Sequence, residues 1–204
     1  MVNSNSTNRK QSRGIKTRRK IILTAKDLFI KKGFNTTTTR QITTQAGFAV
    51  GSIYNHFKNK AEIFDEVINE FHPWRFIPKV LRVSDGENTE EFILNATKLM
   101  LAEWNKDPGI IRLHLIEILE FNNEHLPSLF KEIFSEAIEI SQHFLFTKPN
   151  FASINSDLFT RSLLSLFFRY LMADTGTTEI RNGVDPGSFD YFADSYLRSI
   201  FNAD

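Results

Sequence analysis

Apolar residues recur at helical spacing along almost the whole chain, and this periodicity constrains the fold more than any other feature. The first clear stripe lies between residues 18 and 32 and stops at Gly33. Its members are Ile21, Ile22, Ala25, Leu28 and Phe29. Similar stripes follow later, and no window has the strict alternation of a half-buried strand. The sequence therefore predicts an all-α protein with about eight or nine helices.

Charge is divided sharply between the two ends of the chain. Residues 1–60 contain 13 Lys and Arg and a single acid, Asp27, which is a net charge of +12. The other residues contain 12 bases and 23 acids, a net charge of −11, and the two parts return the +1 of the whole chain. Lys26, Lys31, Arg40 and Lys58 lie within patterned sequence rather than in a tail. The first part is therefore expected to bind a polyanion.

Composition excludes several classes of site. Without cysteine the chain has no disulfide, thiol nucleophile or Cys-ligated zinc, which favours a cytoplasmic location. No apolar stretch is long enough for a membrane helix, and residues 1–20 lack the apolar core of a secretory signal; an organellar presequence is the alternative for this basic segment. There is no Ser-His-Asp, P-loop or Gly-rich nucleotide motif, and the histidines lack metal-ligand spacing. We therefore expect no enzyme, no cofactor and no metal.

Two short helical segments follow the first stripe. Thr37 is the predicted N-cap of a helix that buries Ile42 and Ala46 and ends at Gly47. After a tight turn, residues 50–57 form a third helix, with Ile53 and Phe57 as its inward anchors. A capping box at residues 59–62 opens the next helix. This arrangement predicts a helix-turn-helix unit, whose second helix enters the major groove of DNA.

The exposed side of this unit supplies the candidate DNA contacts. A recognition helix needs small, polar and uncharged or basic residues there. Arg40 is the predicted base-reading residue, because Arg suits bidentate contact with guanine. Tyr54, His56 and Lys60 are expected to contact phosphates, Lys60 at a helix N-terminus that favours anions. The full set is Thr39, Arg40, Val50, Gly51, Ser52, Tyr54, His56 and Lys60.

The spacing of these residues resembles the DNA-binding signature of the TetR family. The resemblance covers about residues 18–65 and rests on four runs: Lys31-Lys32-Gly33-Phe34, Thr37-Thr38, Ile42 with Ala46-Gly47, and Gly51 through Lys60. Ala49 departs from the usual Ser cap, Thr43 from the usual Ala, and Ala61 from the usual acid. The alternative is that these residues form a helical hairpin that packs within the protein and does not bind DNA.

The resemblance implies two domains. Residues 1–14 are expected to be a disordered basic arm, 15–61 a three-helix helix-turn-helix domain, and 62–204 a helical effector-binding and dimerisation domain. The last two long helices would form a four-helix bundle in a homodimer, at residues 157–172 and 189–201. The first of these is apolar almost all round, which one subunit's core cannot bury.

Polar residues on an apolar stripe indicate a candidate effector site. His114 and Glu117 lie one turn apart between Ile110 and Phe121, so they satisfy each other or meet a ligand. The predicted lining is Trp74, His114, Glu117, Phe121, Phe134 and Phe144. The aromatic members could equally belong to the core. A Phe-rich lining favours an apolar or aromatic effector.

The leading functional hypothesis is a transcriptional repressor that a small effector releases from operator DNA. An activator or an effector-independent regulator are alternatives within the same class. From other classes, the alternatives are an all-α ligand-binding module or enzyme with a basic tail, and a structural nucleoid protein. The acidic second part argues against the nucleoid protein, and the missing catalytic motif argues against the enzyme.

Overall fold

The computed structural model describes residues 4–147 and 155–176, and the described chain is helical with no strand. This confirms the predicted all-α class. The eight α-helices of the described chain are α1 (Ser4–Lys32), α2 (Thr39–Gln45), α3 (Lys60–Phe71), α4 (Ile77–Val83), α5 (Thr89–Trp104), α6 (Ile111–Glu120), α7 (Leu126–Thr147) and α8 (Ser156–Gly176). Three 3-10 helices span Val50–Asn55, Pro73–Phe76 and Pro108–Ile110. Among these helices none is long and apolar enough to cross a membrane.

The chain divides into two compact units. The first comprises Met1–Pro73 and Gly109–Leu129, and the second comprises Trp74–Pro108 and Phe130–Asp204. The first unit therefore contains α6 as well as α1 to α3. The boundaries of these units differ from those of the predicted functional domains, 15–61 and 62–204. Apolar periodicity is a local property of the sequence, so it does not indicate that α6 belongs with α1 to α3.

The core of the first unit is built from the predicted stripes. All five apolar members of the α1 stripe are buried, as are Ile42, Ala46, Ile53 and Phe57. From α3, Ile63, Phe64, Val67 and Ile68 complete this core. Burial of these side chains supplies the main stabilising free energy of the three-helix arrangement. The helix stops are also confirmed, since Gly33 and Gly47 both have a positive φ.

The helix α1 begins earlier than apolar periodicity suggested. Residues 4–14 continue the helix, whereas the sequence predicts a disordered arm over residues 1–14. Gln11, Ser12 and Arg13 are exposed. A helix surrounded by solvent needs no apolar stripe, and a formed helix extends at little cost through good helix formers such as Arg, Lys and Gln.

The second unit packs α4, α5, the later part of α7 and α8 around an aromatic centre. The rings of Phe92 and Phe144 lie 4.0 Å apart, and Phe159 of α8 is 5.9 Å from Phe92. Phe76 packs edge-on against Phe167 at 5.7 Å. Between α4 and α7, Arg82 Nη2 lies 2.7 Å from Glu136 Oε1. This unit contains the described portion of the predicted dimerisation segment, while residues 189–201 lie outside the described residues.

Candidate nucleic-acid interface

Helix α2 begins with a complete capping box. The side chain of Thr38 accepts a hydrogen bond from the Gln41 amide at 3.2 Å, and the Thr38 amide donates to Gln41 Oε1 at 2.9 Å. The prediction of Thr37 as N-cap is therefore wrong by one residue. Thr37 is buried, and its hydroxyl donates to the Gly33 carbonyl at 2.8 Å. Two adjacent threonines offer equivalent caps locally, and tertiary packing decides between them.

The capped end of α2 presents the candidate base-reading residue. Arg40 lies in the first turn and is exposed, whereas Thr39 beside it is half-buried. Thr43, one of the departures from the family pattern, is buried, and its hydroxyl donates to the carbonyls of Thr39 and Arg40, both at 3.0 Å. These bonds satisfy the buried hydroxyl within its own helix, so the departure leaves the first turn intact.

The 3-10 helix Val50–Asn55 follows the turn and is held by two anchors. Ile53 and Phe57 are buried, which confirms their predicted inward placement. Ala49 offers no side-chain cap, and the Ala49 carbonyl instead accepts from the Ser52 amide at 2.9 Å and the Ser52 hydroxyl at 2.7 Å. These bonds reinforce the first turn at the Ala49 carbonyl, but they do not supply the side-chain acceptor that a Ser cap would offer to the first amides.

The opposite side of this 3-10 helix is open to solvent. Val50, Gly51, Tyr54 and Asn55 are exposed, and His56 is half-buried. A Cβ atom added at Gly51 would meet nothing within 4 Å, and Gly51 has no positive φ. The fold itself therefore does not require glycine here. Glycine does leave room for another backbone to approach closely.

Lys60 lies at the start of α3, where the sequence predicts a phosphate contact. Its ammonium group donates to the carbonyls of Phe34 and Thr37, both at 2.7 Å, and lies 4.0 Å from the centre of the Phe34 ring. Burial lowers the pKa of Lys60, and the charge of Glu120 partly opposes this effect. Two of the three ammonium protons thus bind the loop between α1 and α2. The phosphate role of Lys60 stays a prediction, and it would use the third proton.

Helix α6 supports the same loop from a distant part of the chain. The Glu120 carboxylate accepts from the Phe34 amide at 3.2 Å and from the Asn35 amide at 2.8 Å. Arg112 donates to the Ile30 carbonyl at 3.1 Å. The Arg112 contact satisfies a carbonyl in the last turn of α1, which has no partner within the helix, and the Glu120 contacts satisfy amides of the loop that follows. Neither Glu120 nor Arg112 was predicted as a site residue, because nothing in local spacing relates α6 to α1.

The candidate effector residues divide between the units. His114, Glu117 and Phe121 belong to the first unit, and Trp74, Phe134 and Phe144 to the second. His114 and Glu117 each have a further partner, since His114 Nδ1 lies 3.1 Å from His72 Nε2 and Glu117 accepts from His125. Phe121 stacks on Phe64 at 4.4 Å. Their ligand role stays a prediction.

The candidates in the second unit form two aromatic groups. Trp74 lies 5.2 Å from Phe130, which stacks on Phe134 at 5.3 Å, and Phe144 packs against Phe92. Two buried donors of this unit, Trp104 Nε1 and the Ser141 hydroxyl, have no hydrogen-bond partner among the described residues. Buried polar groups of this kind usually have a partner, so both are candidates for contact with a bound molecule.

The helix-turn-helix segment matches a known family. Residues 21–67 match the family model described as "Bacterial regulatory proteins, tetR family". Residues 21–67 are therefore a DNA-binding segment of the TetR type. This agrees with the resemblance carried by Gly33, Gly47 and the run from Gly51 to Lys60. The all-helical plan beyond the matched residues is also that of the solved TetR-family regulators.

Relatives and solved structures extend the TetR comparison. The chain is 40% identical over 76 residues to the HTH-type transcriptional regulator QacR of Staphylococcus aureus, covering 37% of the chain and 40% of QacR. It is 35% identical over 104 residues to the nucleoid occlusion factor SlmA of Aliivibrio fischeri, covering 50% of the chain and 52% of SlmA. These matches therefore span about half the length of the relatives or less. The SmeT–triclosan complex aligns over 90% of both chains, with a TM-score of 0.62 and 19% identity, a likeness of fold.

Proposed function

We propose that this chain is a homodimeric transcriptional repressor of the TetR family that binds operator DNA through α2 and the 3-10 helix Val50–Asn55. One observation carries the proposal: Gly51 and Tyr54 are exposed on a segment that the buried anchors Ile53 and Phe57 hold against the core. A recognition helix needs exposed residues of this kind to enter the major groove, and the net charge of +12 in residues 1–60 attracts the polyanion.

Within this interface the residues have different roles. Arg40 reads a guanine, because its guanidinium is exposed at the capped end of α2. Tyr54, His56 and Lys60 contact phosphates and fix the register of the protein on the duplex. Between these contacts the protein surface approaches the DNA closely. This part of the surface is formed by Thr39, Val50, Gly51 and Ser52.

Selection of bound duplexes from fragmented genomic DNA tests the proposal. We expect enrichment of a pseudo-palindrome whose half-sites are one DNA turn, or a multiple of it, apart. Fluorescence anisotropy should then give a much lower Kd for this duplex than for a scrambled one of equal length. Equal affinity for both duplexes would contradict operator binding. A reporter gene placed behind the operator distinguishes repression from activation by the sign of the change in expression.

The homodimer proposal rests on α8. Leu158 is 58% exposed, although Phe159, Leu163 and Leu166 on the same helix are buried. A second copy of α8 would cover such an apolar residue. Sedimentation at micromolar concentration should give a dimer, and Leu158→Glu should shift the population toward monomer. A wild-type monomer that still binds the full operator would contradict the proposal.

The effector proposal concerns the second unit, where Trp74, Phe134 and Phe144 are the candidate contacts. SmeT was solved with triclosan, an example of a bound small molecule in this fold. An apolar or aromatic molecule that prefers the DNA-free state would lower operator affinity by mass action. Triclosan serves as the probe here, and quenching of Trp fluorescence reports binding. Because the chain has 2 Trp, both in this unit, Trp74→Phe and Trp104→Phe separate their contributions.

A role in nucleoid occlusion is a second candidate, favoured by the match to SlmA, which is longer than the match to QacR. Chromatin immunoprecipitation separates the two candidates. A repressor should occupy a few promoters, whereas a nucleoid factor should occupy many sites without preference for promoters.

A further inference from the structure

The basic residues between positions 13 and 20 of α1 fall into two groups. Arg18 and Arg19 are neutralised by α3, since Arg18 Nη2 lies 2.7 Å from Glu66 Oε1 and Arg19 pairs with Glu70. Arg13, Lys16 and Lys20 are all exposed, and none forms an ion pair with a described residue. The fold therefore uses only part of the charge of this helix.

The second group, Arg13, Lys16 and Lys20, shares one face of α1. Their spacing of i, i+3 and i+7 places them in a stripe about 10 Å long, on the side away from the buried Ile22, at the helical rise of about 1.5 Å per residue. At its inner end, the Lys20 ammonium lies 5.4 Å from the centre of the Phe48 ring, in the turn between α2 and the 3-10 helix. The stripe therefore starts beside the helix-turn-helix turn and extends outward along α1.

Nothing in the neighbouring sequence neutralises this stripe. The first acid of the chain is Asp27, which lies beyond the stripe. Like charges at i, i+3 and i+4 on one helix face repel each other, so the arrangement is unfavourable without a partner. A row of phosphates is such a partner, because duplex DNA carries one charge about every 3.4 Å along each strand.

We propose that Arg13, Lys16 and Lys20 form a second DNA contact, which binds the phosphates flanking each operator half-site. This inference rests on the proposed operator binding. The stripe spans about three base pairs at the phosphate spacing of one strand. Duplex DNA is the partner that the observations favour, because the stripe begins at the turn that holds the recognition helix. A membrane surface fits less well, because an interfacial helix needs a continuous apolar face, and the large apolar residues exposed on the described part of α1, Ile15 and Leu23, are eight residues apart.

A matched pair of variants tests this contact. The double variant Arg13→Gln/Lys16→Gln removes two charges of the stripe and keeps good helix formers. The control Lys31→Gln/Lys32→Gln removes two exposed charges from the other end of the same helix. Each protein is titrated with the selected operator, once without flanks and once with about six extra base pairs at each end, between 50 and 200 mM salt.

On the flanked duplex, the stripe variant should lose about 1.8 units of the slope of log affinity against log salt, because each phosphate contact contributes about 0.9. Between 50 and 200 mM salt, the affinity of the stripe variant should therefore fall about tenfold less than the affinity of the wild type. On the short duplex the variant should match the wild type, and the control should match it on both duplexes. Wild-type affinity independent of the flanks, or an equal loss in the control, would overturn the second contact alone. A wild type without operator preference on either duplex would instead overturn the proposed function as well.

Discussion

His125 is bound to the buried carboxylate of Glu117 by two hydrogen bonds, one from its backbone amide and one through Nδ1, both at 2.7 Å. Its other ring nitrogen, Nε2, lies 2.7 Å from Asp65 Oδ1 on α3. A single imidazole thus bridges α3 and α6 within the first unit. The chain reaches this position through Asn122 and Asn123, whose positive φ values of 50° and 65° reverse its direction after α6.

Stability should therefore depend on the protonation of His125. Burial lowers the pKa of His125, but the hydrogen bond and charge of Glu117, together with Asp65, outweigh this and raise it above the ordinary value. A raised pKa in the folded state means that the stabilisation is complete below the unfolded pKa of about 6.5 and is lost as the pH rises through the folded value. Thermal unfolding at a series of pH values should record this loss.

Two variants control for that pH dependence. Glu117→Gln keeps the shape and an acceptor but removes the buried charge, so the loss of stability should move to lower pH and become smaller. His125→Gln removes the titrating group, leaves Glu117 without its cation and should cost about 3–5 kcal/mol. A wild-type profile that persists in both variants would show that another group titrates.

Gly51→Ala should separate DNA binding from folding. Because an added Cβ would meet nothing within 4 Å, the variant should unfold at the wild-type temperature or slightly above it. Operator affinity should fall at least several-fold, since the methyl group would occupy the space for close approach to DNA. Unchanged affinity would remove Gly51 from the interface.

Gly33→Ala is the control for Gly51→Ala, because at Gly33 the added methyl group should lower stability. Gly33 has a φ of +88°, and an added Cβ would lie 3.3 Å from Glu120 Oε1. This variant should lose about 1–2 kcal/mol of stability, because a side chain in the left-handed region is strained.

Arg40→Ala and Tyr54→Phe should differ in how they affect specificity. Loss of a guanine contact should cost about 1–3 kcal/mol and relax the preference at one base pair of each half-site. Loss of the tyrosine hydroxyl should instead weaken binding to all duplexes about equally, because a phosphate contact carries no sequence information. Titration against a set of single-base operator variants measures both. A uniform loss in Arg40→Ala would assign Arg40 to the backbone.

The helix-turn-helix region was the most predictable part of the molecule, for local reasons. The stripe on α1, the stops at Gly33 and Gly47 and the anchors Ile53 and Phe57 all depend on residues within two turns of each other. Even there, the choice between Thr37 and Thr38 as N-cap depended on which hydroxyl the core buries.

Contacts between distant segments could not be predicted in the same way. Glu117 stands out in the sequence as a polar residue on an apolar stripe, but its partner His125 follows it by eight residues, across a turn made by two asparagines. Likewise Glu120 has no local feature that relates it to the amides of Phe34 and Asn35. Asparagine pairs after a helix are a signal for left-handed turns and could have indicated this return.

Lys60 provides the sharpest test of how the interface combines folding with binding. Its ammonium donates to two loop carbonyls, so Lys60→Ala should leave both acceptors without a charged donor and lower stability by about 1–3 kcal/mol. The third proton is proposed to meet a phosphate, so the salt slope of operator binding should also fall by about 0.9. Chemical denaturation and binding titrations measure the two effects separately. Lys58→Ala is the control, because Lys58 is exposed nearby and its side chain has no hydrogen bond or ion pair within the described chain. If Lys60→Ala loses stability but keeps the wild-type salt slope, its role is to hold the loop between α1 and α2, and the phosphate contact is excluded.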